Sequence, residues 1–407
     1  MEKSYQVLQT LAKKLAAIAA LPVQNEKKAL WTSNNDLKPT RPLVYIDQLP
    51  WHEIAQSTEM HLECEEPFLR RIEQRMRETL YRWHHFPCDM VVESRIDIPR
   101  AYDGLSYGLH VKEKGIWTDI RNDIYSHEYQ ELLNSEEDLN RLQYDTVTLD
   151  RELDREHLEI CEHIFDGILP VRFEGVQIHT GVWDRIAQLR EPQNMLMDLI
   201  DRPEFTRQIV LKLRDITIDS VRQCERLGLL DESLQYVHCT GAYTEDLPKV
   251  KNGLVKSKNV WAFGMSQIFS SVSKGMHEAF DIDLLMPLYE IFGLMYYGCC
   301  EPLHDKINII RKIRNVRKIS MSPWADVDKG TEGISGDYVF SLKPRPTLIG
   351  NGRFETEQIR KQLKAAKDAC KRYNTPCEFI MKDVSTVQGR IEFLDMWNDL
   401  AMEVALS

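Results

Sequence analysis

The sequence predicts a (β/α)8 TIM barrel with an N-terminal helical extension and an inserted segment. Three observations predict it. Short apolar runs recur along the 407 residues, and most are followed by a stretch with apolar positions at helical spacing. From about Val272 this alternation is regular to the C-terminus, the order that builds a parallel sheet through right-handed crossovers. Polar and ionisable residues gather just past the apolar runs, where a barrel keeps its chemistry.

Hydrophobic residues make up 43% of the chain and charged residues 28%, enough apolar material for a large core, and no run is long enough to span a bilayer. The net charge of −11, with Lys and Arg scattered instead of gathered on one stripe, argues against a nucleic-acid partner. The apolar stretch Leu15 to Leu21 is too short and alanine-rich for a signal peptide, so a cytoplasmic location is expected. Nine dispersed cysteines point to reduced thiols, some of them ligands, instead of a disulfide framework.

Taken in order, residues 1–40 read as the helical extension, with apolar positions at helical spacing from Tyr5 to Leu21 and a loop at Ser33-Asn34-Asn35-Asp36. The barrel is expected over 41–407. Its first strand is Pro42 to Asp47 and its second Met90 to Ser94, with helical patterns at Trp51 to Ala55 and Pro67 to Trp83 between them. Residues 101–166 are less regular and read as an excursion forming a lid or an oligomer contact, closed by a helix from Asp150 to Phe165. Val171 to His179 and Leu234 to His238 are the third and fourth strands, with a helix from Pro203 to Leu227 between them. Strands then follow at Leu294 to Gly298, Arg317 to Met321, Tyr338 to Leu342 and Cys377 to Met381. Helices Val272 to Ile291, Leu303 to Arg314, Val327 to Gly333, Glu355 to Tyr373 and Gly389 to Leu406 alternate with them.

Residues after each strand should converge on one mouth: Asp47, Glu93 with Arg95, His179, His238 with Cys239, Cys299 to Glu301, Ser322 with Trp324, Lys343 with Arg345, and Lys382 with Asp383. The adjacent thiols Cys299 and Cys300, between Gly298 and Glu301-Pro302, carry the strongest signal. They are soft ligands at a turn, or else small buried hydrophobes. With His238 they make a mixed N and S donor set of the kind zinc takes. Glu301 is either a further ligand or an acceptor that orients His304, which itself reads as a second-layer residue or a helix cap. The aromatic residues Trp183, Trp261, Phe263 and Trp324 line a substrate wall or simply fill the core. Lys343 and Arg345 neutralise an anion or stand solvated.

The segments Phe263-Gly264-Met265-Ser266-Gln267, Tyr296 to His304, Ile319 to Asp326 and Met381-Lys382-Asp383-Val384 resemble the uroporphyrinogen decarboxylase superfamily, and more closely its corrinoid-dependent methyltransferase branch. The resemblance runs from about Pro42 to the C-terminus. It implies a (β/α)8 barrel. Decarboxylases carry two arginines after the first strand, whereas Leu43 to Trp51 has none, which disfavours porphyrinogen decarboxylation. The methyltransferase branch holds zinc by a His-x-Cys pair and a later Cys. Here Tyr297 stands in place of the His, Cys299 is retained, Cys300 is extra, and His238, or less directly Glu301 or Asp383, completes the set.

The expected activity is therefore methyl transfer between a small methylated substrate, or a thiol or folate acceptor, and a corrinoid carried by a separate protein. Zinc would act as Lewis acid. No Asp-x-His-x-x-Gly motif for a resident corrinoid occurs. Candidate catalytic residues are Glu301, Tyr297, His304 and Asp383. Candidate substrate contacts are Glu93, Arg95, Trp261, Phe263, Gln267, Trp324 and Lys343, and the metal ligands are His238, Cys299 and Cys300. A homodimer is allowed. Two rivals are a metal-independent decarboxylase or lyase acting on a small carboxylate, and a non-catalytic module that binds a corrinoid protein.

Overall fold

A computed structural model describes residues 2–117, 119–122 and 124–407. Six parallel strands form one sheet: β1 (Leu43–Ile46), β2 (Trp261–Gly264), β3 (Leu294–Tyr297), β4 (Val316–Met321), β5 (Val339–Leu342) and β6 (Cys377–Met381). Their order is β1-β6-β5-β4-β3-β2. All but one of the residues in these strands are buried or nearly so, the continuous apolar reading of a parallel sheet covered on both faces. The result is a mixed α/β fold, barrel-like in its strand order. Among the described residues no ladder joins β1 to β2 and closes the sheet.

Helices that shape the fold are α1 (Glu2–Ala19), α2 (Pro22–Asn35), α3 (Pro67–His85), α4 (Arg151–Phe165), α5 (Val182–Arg190), α6 (Pro203–Leu227), α7 (Thr356–Arg372) and α8 (Glu392–Leu406), with further helical segments such as Pro192–Asp201 and Val327–Ile334 between elements. Their starts follow local chemistry. Glu66 caps α3 by accepting from the Phe68 and Leu69 N–H groups, with Pro67 at the first position, where no N–H is needed. Asp150 caps α4 in the same way. In α7, Ile359, Leu363, Ala366 and Cys370 recur at three- and four-residue steps and are buried on one face.

Alternate strand residues serve two cores. Val44, Ile46, Met295, Tyr297, Ile319, Phe340 and Phe379 join the core under the covering helices, while Leu43, Tyr45, Phe263, Leu294, Tyr296 and Ile380 face the core that also contains α1, α3 and α4. This second face carries charge. Lys318 and Glu378, both fully buried, form a 2.8 Å ion pair, completed by Thr240 Oγ1, Gly241 O and the Ser341 hydroxyl.

Several expectations are corrected. The N-terminal extension is two helices, because Pro22 lacks the N–H that would continue α1. Met90 to Ser94 is not a strand. Asp89 N–H reaches Val44 O at 2.9 Å, but the next backbone groups are taken by side chains of α2, Trp31 on Asp89 O and Gln24 on Val92 N–H. Within Val171 to His179, Val171–Phe173 pairs with Ile96–Ile98 outside the main sheet, and His179 makes an isolated parallel bridge to Phe263. Leu234 to His238 is one arm of an antiparallel hairpin, Tyr236–Val237 with Thr240–Gly241, and the sheet position is filled by β2 instead. The helix expected over Val272 to Ile291 is present from Lys274 to Tyr289 with a π-helical turn at Glu278–Ile282, and that over Leu303 to Arg314 shortens to Ile307–Ile310. The segment 101–166 holds two small antiparallel pairs before α4, whose Ile164 O accepts from Gln9 of α1 at 3.0 Å.

Candidate functional site

The hairpin does what no single strand would. Its two-residue turn is His238-Cys239, with His238 at φ +53°, the left-handed region that non-glycine residues seldom occupy. Its arms lie against the inner face of the sheet: Tyr236 stacks on Tyr45, and Thr240 bonds to Glu378. The tip carries the imidazole to the C-terminal ends of the strands, where His238 stacks on Phe263 with ring centres 3.9 Å apart and planes 10° from parallel.

There it meets the turn that follows β3. Gly298 at φ +92° lets the chain reverse, and a Cβ at that position would lie 2.3 Å from Leu303. Cys299 Sγ is buried, 3.4 Å from Cys300 Sγ and 4.0 Å from His238 Nε2. The last sheet strand supplies the counter-charge: Lys382 Nζ stands 3.0 Å from Cys299 Sγ and 3.2 Å from Asp383 Oδ2, while Cys300 Sγ is 3.8 Å from the same carboxylate oxygen. Cys300 is exposed and Lys382 is not.

Electrostatics follows from this packing. Burial, followed by Lys382, Lys343 and His179, pushes the His238 pKa down to about 2, so the ring is neutral at ordinary pH. Burial opposes the Lys382 charge, yet Cys299, Cys239, Asp383 and Cys300 together hold its pKa above the usual lysine value. The two thiols titrate as a pair. The bond from Cys299 to Cys300, then burial, pushes Cys299 up, and the same bond draws Cys300 down against its own burial. Lys382 lowers both thiols, so its field favours negative charge on the pair.

Behind the thiols lies a second polar layer. Glu301 is fully buried and accepts from Cys299 N–H at 2.8 Å and Ser266 N–H at 3.1 Å, so it ties the turn after β3 to the turn after β2. Asp281 accepts from the hydroxyls of Ser266 (2.6 Å), Tyr289 (2.9 Å) and Tyr297 (2.6 Å), and His277 Nε2 lies 2.6 Å from the Tyr297 oxygen. Burial first, then Asp281, pushes both tyrosines well above the ordinary phenol value. Gln267 Nε2 donates to Asp184 Oδ2 at 3.1 Å, and burial, then Glu301, raises the Asp184 carboxyl to about 7.

The structure thus brings together His238, Cys299, Cys300, Asp383 and Phe263, with Glu301 and Gln267 in the layer behind. Others lie elsewhere. Tyr297 points to the helix side of the sheet. His304 pairs with Asp305 at 3.1 Å, and Glu301 is not its partner. Trp261 opens β2 instead of ending a strand, and its indole donates to Ala242 O beside the Lys318 ammonium. Glu93 is held by Lys28 (2.6 Å) and Tyr243 (2.8 Å), and Arg95 by Asp97 (3.0 Å), at cavities beside α2 and α3. Trp324 is 71% exposed under Arg345. Lys343 is buried, bonds to the Ser341 hydroxyl at 2.6 Å and lies over the Tyr296 ring. Lys382 stood in the sequence as a strand-end residue without a role, whereas Asp184, Asp281 and His277 carried no local signal.

As a zinc site the donors fit in pairs only. Bonds of about 2.3 Å to sulfur and about 2.0 Å to nitrogen put tetrahedral donors roughly 3.5–3.8 Å apart, close to the Cys299 separations from Cys300 and His238. Among the described residues, however, no three His, Cys, Asp or Glu are arranged to hold an ion. An ammonium also stands against Cys299 on the side a cation would take.

No helix among the described residues is long and apolar enough to cross a membrane. No family model and no curated protein matches the chain. A methyltransferase from Methanosarcina mazei is similar in structure, with a TM-score of 0.52 over 92% of this chain and 97% of that one, at 10% sequence identity. At that identity the likeness is one of fold.

Proposed function

We propose that this chain is a methyltransferase whose chemistry is seated on the Cys299-Cys300 turn, working with a corrinoid carried on a separate protein. The observation that carries the reading is the dithiol, set between a buried ammonium and a neutral imidazole at the C-terminal ends of the strands. The fold likeness to a protein named as a methyltransferase supports it, as do the segments that resemble the corrinoid-dependent branch. We read the scaffold as a (β/α)8 barrel in which the segments near Asp89 and His179 stand for the irregular second and third strands.

The corrinoid, when its carrier docks, supplies a methyl carrier at the cobalt. The residues of this chain do the rest. Lys382 offsets charge on the sulfurs and favours the thiolate form of the pair. His238 and Phe263 present a flat wall beside Cys299. Glu301, by gripping the N–H groups of Cys299 and Ser266, fixes the thiols in place before any substrate arrives. Because the zinc donors are not assembled as a set, no step is derived through a metal; zinc at Cys299, Cys300 and His238 remains part of the proposal, tested below. The substrate class and the direction of transfer are likewise proposals.

The test is spectrophotometric. Methyl transfer between cob(I)alamin and methylated amines, methyl ethers or thiols is followed with wild type, Cys299→Ser and Cys300→Ser. Turnover by the wild type that is lost in both variants is expected. Undiminished transfer by both variants would move the chemistry off this turn.

A further inference from the structure

A cavity of about 360 Å³, with Phe263 and His238 between its His179 wall and Cys299, is left without an occupant by the reading above. His179, Asp184 and Arg185 line it on one side, and Tyr107 and Thr217 on another. Two routes lead from it toward the thiols: His179 meets Phe263 edge-on at 5.3 Å and Phe263 carries the stacked His238, while Asp184 is bonded to Gln267 in the layer behind Glu301.

Arg185 is the informative group. Its guanidinium lies over the Tyr107 ring at 5.3 Å, and among the described residues it makes no ion pair. Arg190 and Arg202, by contrast, are paired, with Asp198 at 2.7 Å and Glu136 at 3.1 Å. A half-buried guanidinium facing a cavity, without a carboxylate, is a planar two-donor receptor for one. Tyr107 is braced for the same purpose, its hydroxyl 3.1 Å from Thr217 Oγ1. The other groups do not compete for the guanidinium. The Asp184 carboxyl turns to Gln267, and His179 is kept neutral by burial and by Arg185 itself.

We propose that this cavity anchors a small carboxylate-bearing substrate through Arg185, with the Tyr107 ring as the wall against which the substrate lies. The proposal rests on the methyl-transfer reading only in taking that ligand to be the methyl-bearing substrate. It makes Arg185 a binding residue that sets substrate class, and Tyr107, from the segment 101–166, part of the pocket wall.

The experiment is protection of Arg185 from phenylglyoxal, read by peptide mass spectrometry on the wild-type protein. Exposed, unpaired Arg151 serves as an internal reference. Benzoate and glycine betaine are the carboxylate probes, and benzamide and choline their uncharged-end counterparts. At about 20 mM, one or both carboxylates should slow modification of Arg185 relative to Arg151 by about fivefold, the protection given by a ligand at about four times its Kd. The counterparts should not. Arg185→Met should abolish any rise in Tm that the protecting carboxylate produces. No protection by either carboxylate, or equal protection by its counterpart, overturns the proposal. So does a Tm rise retained in Arg185→Met. Protection can fail while methyl transfer to cob(I)alamin persists, and the reverse, so the two readings are judged separately.

Discussion

The Lys382 ammonium lies 3.0 Å from the Cys299 sulfur, although 83 residues separate them in the chain. A cation so placed favours the thiolate over the thiol. Replacing it with Met should raise the apparent pKa of the pair by a unit or more and slow alkylation by iodoacetamide at pH 7.5 by about tenfold or more. Stopped-flow or mass-spectrometric labelling of Cys300 measures this; unchanged kinetics would show that Lys382 does not govern the dithiol.

The same lysine bears on zinc. An ion held by Cys299, Cys300 and His238 has to displace or neutralise the charge of Lys382, so Lys382→Met should bind zinc tighter than wild type by about tenfold or more. Competition against a chromophoric chelator gives both constants. Equal affinities would separate the metal from this turn.

Glu301 bonds two backbone N–H groups with its two oxygens. In Glu301→Gln one of these meets an amide NH2 instead of an acceptor, leaving a buried donor unpaired at a cost of about 1–3 kcal/mol. Urea unfolding should show that loss together with slower labelling of Cys300, since the turn is no longer held. A variant as stable and as reactive as wild type would contradict this bracing role.

Asp184 gives stability a pH dependence of known sign. Its pKa is near 7 in the folded protein and near the ordinary carboxylate value when unfolded. A raised acid pKa means that stability is fully present below the unfolded value and declines as pH rises toward about 7. Asp184→Asn should remove that decline, so the variant gains on wild type between pH 5 and pH 8. Unfolding midpoints at the two ends, compared with a Gln267→Met control, measure it.

The buried pair Lys318 and Glu378 should be costly to break and cheap to replace as a unit. Removing one partner, as in Glu378→Ala, leaves an uncompensated buried charge at a cost of about 3–5 kcal/mol. Exposure to solvent at both positions is nil, so little screening is expected. Chemical denaturation of Glu378→Ala against Lys318→Met/Glu378→Met tests whether the double variant recovers most of the loss.

Much of the sheet was legible in the sequence because a strand buried on both faces is a continuous apolar run. Leu43–Ile46, Leu294–Tyr297 and Cys377–Met381 stand where those runs stand. The thiol turn was legible too, since Gly298 and Pro302 bracket it within five residues. What was not legible depended on partners far away in sequence. Tyr236–Val237 has the composition of a strand, and only its docking against Tyr45 and Thr240's bond to Glu378 make it half of a hairpin whose tip carries His238. Tyr297 and Tyr296 are neighbours of like chemistry, and the pleat alone sends one to Asp281 and the other to the inner face. The sequence by itself determined five of the six parallel strands, Trp261–Gly264 being the exception, and the pair of cysteines after one of them. Tertiary structure alone decided which cation faces the thiols and which guanidinium faces a cavity, because charges are paired through space and a linear chain does not record which of its charges will meet.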